Sequence, residues 1–99
     1  MTVMDEFRAL TYAIGDFTVD ALGKENLTGL QVVTDPRELS AFISIALKDQ
    51  SDVAQRRAIA VMFEVEEMYF DEVALTYVFV DHIHDSIHAT SSVPQYSYA

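Results

Sequence analysis

Apolar residues recur along the first part of the chain at alternating spacings of four and three: Val3, Phe7, Leu10, Ile14, Phe17 and Ala21. That period places them on one stripe of a helix. Thr2 stands where an N-cap belongs, and Asp5 and Glu6 fall in the first turn, where acids suit the helix dipole. Gly23 occupies the position of a C-terminal glycine. The pattern predicts a helix over residues 3–22 with its stripe turned to the core, although Gly15, Thr11, Thr18 and Val19 are weak helix formers. Leu27–Thr34 (LTGLQVVT) is short, β-prone and set between turn-forming residues, so it predicts a strand. Asp35-Pro36 has the form of an N-cap followed by a first-turn proline. It predicts a second helix with Leu39, Phe42, Ile43, Ala46 and Leu47 on its apolar face, ending near Lys48-Asp49.

The stretch 57–83 carries two apolar runs, Ala58–Val65 and Val73–Val80, separated by the acidic segment Glu66–Glu72. At period two, Ile59, Val61, Phe63 and Val65 share one side, and Val73, Leu75, Tyr77 and Phe79 repeat the alternation. This predicts a β-hairpin with its loop near Glu67–Asp71, preceded by a short helix over Asp52–Arg57. At helical period, Ala54, Ala58, Val61, Val65 and Met68 also line one face, with Ser51 or Asp52 as cap, and Thr76, Phe79, Val80, Ile83 and Ile87 line another. The hairpin is the reading adopted, chiefly because the second run is rich in β-branched and aromatic residues. Residues 89–99 are small, polar and interrupted by proline. They predict a flexible C-terminal tail after a single compact domain over 1–88, with an edge strand from the Tyr96/Tyr98 alternation as the alternative.

The expected fold is therefore α+β: two helices packed on a small antiparallel sheet with a C-terminal β-hairpin. The alternative is an all-α helical bundle. Phe7, Leu10, Ile14, Phe17, Leu39, Phe42, Ile43, Val61, Phe63, Leu75 and Phe79 are the expected core.

Composition narrows the class of function. Ninety-nine residues, half of them apolar, suit one folded domain. No apolar run reaches the roughly 20 residues of a membrane span. The N-terminus carries acids where a secretory signal carries bases, so a cytoplasmic location is expected, and the Asn26-Leu27-Thr28 sequon has no meaning there. The absence of cysteine removes disulfides, thiolate nucleophiles and thiolate zinc sites.

Charge changes the picture most. Sixteen acids oppose six bases, for a formal charge of −10, and the last base is Arg57. Such a field repels nucleic-acid phosphates and anionic lipid and attracts basic surfaces. It also serves solubility, and a lysine-poor acidic surface suits high salt. Glu64, Glu66, Glu67, Asp71 and Glu72 lie within nine residues with no base among them, and they are the expected partner-binding residues. They lack the spacing and glycine of an EF-hand, and nothing selects two of them as an acid–base pair.

All three histidines fall in Asp81–His88. His82, His84 and His88 with Asp81 and Asp85 carry the donor types of a divalent-metal site, yet the spacing matches no strong template. No phosphate-binding loop, dinucleotide fingerprint or nucleophile elbow occurs. The functional expectation is a non-enzymatic acidic protein, without a cofactor, that binds a basic partner protein as an inhibitor, immunity protein, antitoxin or nucleic-acid-charge mimic. A metal-binding protein or small metal-dependent enzyme built on the histidines is one alternative. A homodimeric structural subunit is the other.

Overall fold

The computed structural model describes residues 3–81, 83 and 95–98. The elements, in order, are α1 (Val3–Leu22), a 3-10 turn (Lys24–Asn26), β1 (Leu27–Asp35), β2 (Ser40–Leu47), α2 (Asp52–Tyr69), β3 (Ala74–Phe79) and β4 (Gln95–Tyr98). The strands form one sheet in the order β3-β2-β1-β4. Two helices packed on this sheet make the molecule α+β, as expected. The sheet is mixed rather than antiparallel: β1 runs antiparallel to β2 and β4, while β2 and β3 are parallel.

The first helix ends as predicted. Gly23 takes a positive φ of 93° and its N–H donates to the Val19 carbonyl at 2.8 Å. The predicted Thr2 cap lies outside the described residues. The buried stripe of α1 is rotated from the expected one: Thr11 and Thr18 are fully buried, whereas Ala21 is exposed. Both threonine hydroxyls donate back along the helix, Thr11 to the Phe7 carbonyl at 2.5 Å and Thr18 to that of Ile14 at 2.6 Å. A threonine whose hydroxyl is satisfied in this way can sit in a core.

Three expected elements are corrected. Residues 36–49 are not a helix. Asp35 accepts from the Arg37 N–H at 2.9 Å, a side-chain turn that serves a hairpin as readily as a helix start. The chain turns through 36–39, with Leu39 at φ 51°, and continues as β2. Second, the hairpin over 57–83 does not form. Its first run is α2, capped by Ser51, whose Oγ accepts the Ala54 N–H at 3.2 Å. The helix buries Ala58, Met62 and Val65, and its second half is rich in the straight-chain residues that favour helices. A tight hairpin cannot join parallel strands, so the path from β2 to β3 must return along the sheet. The 18-residue α2 does so; at about 1.5 Å per residue it spans roughly 27 Å, close to the length of β2. Third, residues 95–98 are β4, the edge strand that the Tyr96/Tyr98 alternation offered as the alternative to a tail, paired with β1 from Leu30↔Tyr98 to Val33↔Gln95; residues 89–94 and 99 lie outside the described residues.

The core lies between the helices and one sheet face. Ile14, Val19, Leu30, Val32, Ile43, Ile45, Met62 and Val65 are among its fully buried members. The Thr11 hydroxyl meets that of Thr34 at 2.7 Å, tying α1 to β1. Phe17 packs edge-on against Tyr69 of α2 with ring centroids 6.0 Å apart. Leu39, Phe42 and Phe63, expected inside, are exposed by 54%, 38% and 65%. The hairpin had turned Phe63 inward, and the helix turns it out.

Candidate functional site

The five acids expected to meet a partner are spread over the end of α2 and the turn that follows. Glu64 and Glu67 are exposed on the helix, Glu66 is half-buried, and Asp71 and Glu72 are exposed in the turn. Backbone bonds from Glu72 and Val73 N–H to the Tyr69 carbonyl, at 2.9 and 3.0 Å, close that turn. They lead the chain into β3, where Ala74 N–H donates to the Leu39 carbonyl. Two tyrosines report the acids' field. The Tyr69 hydroxyl is raised above its ordinary range by burial and then by Glu72, and that of Tyr77 by burial and then by Glu66. The Tyr77 hydroxyl of β3 thus lies in the field of Glu66, and the Tyr69 hydroxyl of α2 in that of Glu72.

An apolar stripe that the expected hairpin would have hidden lies beside these acids. Ile59, Phe63 and Phe70 recur at spacings of four and seven, which places them on one stripe of α2, and Phe70 keeps helical dihedrals as the C-cap. That stripe points away from the core: Phe63 is 65% and Phe70 70% exposed. Glu66 and Glu67 are the i+3 and i+4 neighbours of Phe63, so carboxylates border the stripe. The signal was in the sequence, because Phe63 lies off the Ala58–Met62–Val65 face. It became legible only once the stretch was known to be helical.

A second feature is a cleft of about 250 Å³ between the end of α1, the end of β2 and the first half of α2. Its floor is Leu22, Leu47, Ala58 and Val61, and Lys48 and Arg57 share its mouth with Glu25 and Asp49. The Asp49 carboxyl is held below its ordinary range by the Ser51 N–H, which donates to it at 2.9 Å, with the Ser51 hydroxyl and Arg57 adding to the effect. The cleft is smaller than the roughly 300 Å³ at which ligand pockets usually begin. Both signs of charge meet at its mouth, and its lining among the described residues holds no histidine or serine to form a nucleophile–base pair.

Of the expected metal ligands, Asp81 is exposed just beyond β3, and His82, His84, Asp85 and His88 lie outside the described residues. Among the described residues no cluster of three or more His, Asp or Glu side chains is placed to hold an ion. No helix among them is long and apolar enough to cross a membrane. Comparison with protein-family models, with curated proteins and with solved structures finds no match to this chain.

Proposed function

We propose that the chain is a small non-enzymatic binding protein whose acidic face engages a basic partner protein in the cytoplasm, acting as an inhibitor, immunity protein, antitoxin or charge mimic. The observation that carries this reading is the stripe Ile59–Phe63–Phe70, two of whose members are among the most exposed apolar side chains described, bordered by Glu66 and Glu67. Aromatic anchors inside a charged rim are the usual anatomy of a protein interface. The anchors would supply residence time, and the −10 charge would steer a basic partner and exclude acidic ones.

The test begins with a basic protein captured at 1:1 stoichiometry from the native source. Glu66→Gln, Glu67→Gln and Glu72→Gln together should slow association and flatten its salt dependence while leaving the melting temperature equal or higher. Phe63→Ala with Phe70→Ala should instead speed dissociation about tenfold or more, in line with the roughly 1.4 kcal/mol per decade of affinity. Because both rings are exposed, that pair should leave the melting temperature nearly unchanged. An association rate and salt slope unaltered in the charge variant would reduce the acids to a solvated surface.

A further inference from the structure

The strand order leaves β3 at one edge of the sheet, with β2 as its neighbour on the other side. Ala74 and Val80 donate their N–H groups to the carbonyls of Leu39 and Ile45. In the alternating ladder of a parallel pair, even-numbered positions of β3 therefore face β2. The N–H and C=O groups of Leu75, Tyr77 and Phe79 point outward, and no described residue pairs with them. The strand, ALTYVF, carries no charge, proline or bulge to blunt this edge, the devices that usually protect one. Acids flank it instead: Asp71 and Glu72 precede it and Asp81 follows it.

We infer that the outer edge of β3 is a docking site for an extended, basic segment of the partner protein, which adds to the sheet as a fifth strand. The inference rests on the reading of the chain as an acidic binder and adds a main-chain contact to the side-chain anchors of α2. Main-chain bonds to Leu75, Tyr77 and Phe79 supply the pairing, and lysines or arginines at the ends of the segment meet Glu72 and Asp81. A second copy of this chain fits poorly. Antiparallel pairing of two β3 strands sets Asp71 and Glu72 against the copy's acidic far end, and parallel pairing sets like ends together. Either way acid meets acid, at a combined charge that doubles the −10 of one chain.

The experiment uses the full chain and a capped octapeptide of alternating valine and threonine with lysine at both ends. At a peptide concentration ten times the dissociation constant, amide exchange at Leu75, Tyr77 and Phe79 should slow about tenfold. The same peptide with glutamate at both ends should bind about tenfold more weakly or worse. Tyr77→Pro removes an outward donor without touching the ladder to β2, and should abolish the protection. Should that variant not fold, Glu72→Lys with Asp81→Lys should reverse the preference toward the glutamate-ended peptide. Protection confined to α2 around Phe63 would overturn the edge as the seat while leaving the acidic-face reading intact. Absence of protection anywhere would overturn the edge as well, and the partner's association rate would still judge that reading separately. Concentration-dependent protection of the same three amides without peptide would overturn it in favour of a second copy.

Discussion

Thr11 and Thr34 show how one buried contact divides its labour. The Thr11 hydroxyl has a single proton, which it donates to the Phe7 carbonyl, so Thr34 is the donor across the 2.7 Å contact between them. Both side chains are fully buried. Thr11→Val removes the acceptor and strands the Thr34 hydroxyl without water, at a cost of about 1–3 kcal/mol. Thr34→Val leaves Thr11 still bonded to Phe7 and should cost about 0.5–1.5 kcal/mol. The double variant should be less destabilised than the two single effects added, because it leaves no orphan. Urea denaturation of the four proteins checks this, and strict additivity would show that the contact contributes nothing. The same pair explains why the α1 stripe was misplaced by the hydrophobic pattern: a threonine reads as polar until its hydroxyl is seen to be satisfied.

At the scale of elements, the docking of β4 on α1 turns on a glycine. A Cβ at Gly15 would stand 2.3–2.6 Å from the ring atoms of Tyr96, so the ring lies where a side chain would be. Tyr12 of α1 meets the same ring edge-on at 5.9 Å. In an isolated helix Gly15→Ala would stabilise by about 1 kcal/mol. Here it should destabilise, because a tyrosine ring held between strand and helix has little room to yield. In a Tyr96→Ala background the same change should become neutral or stabilising. That reversal of sign, read as the shift in melting temperature, is the result that supports the contact; the same sign in both backgrounds would refute it.

For the whole molecule, the dominant field is negative, and the tyrosines feel it. The Tyr96 hydroxyl is pushed up to about 12 from an ordinary 10.0, first by burial, then by its hydrogen bond to Asp16 and the charges of Asp16, Asp20 and Tyr98. Tyr69 and Tyr77 shift in the same direction. A folded-state value above the unfolded one means that the fold prefers the neutral phenol. The resulting stabilisation is complete below the unfolded value of 10.0 and is lost as the pH rises to about 12. Denaturation midpoints followed across that window should fall steeply for the natural chain and less steeply for Tyr96→Phe. Equal slopes would show that Tyr96 is not held as described.

Local chemistry alone was enough for several parts of this protein. The bounds of α1 follow from its period and from Gly23, and β1 follows from its β-branched run between turn residues. The alternation Val73, Leu75, Tyr77, Phe79 correctly separates the two sides of β3, since an edge strand with one covered side keeps its period of two. Tertiary structure decided the rest. β2 is central and buried largely on both sides, with Ser44 and Ala46 covered as well as Ile43 and Ile45, so its alternation is erased and its residues imitate a helical face. Ala58–Val65 is apolar at nearly every position and satisfies both periods. It becomes a helix because the parallel pairing of β2 with β3 requires a long return. The pairing of β4 with β1 joins residues more than sixty positions apart, which no local pattern encodes. The outward Phe63 and the β3 edge that no described residue pairs follow from those non-local decisions.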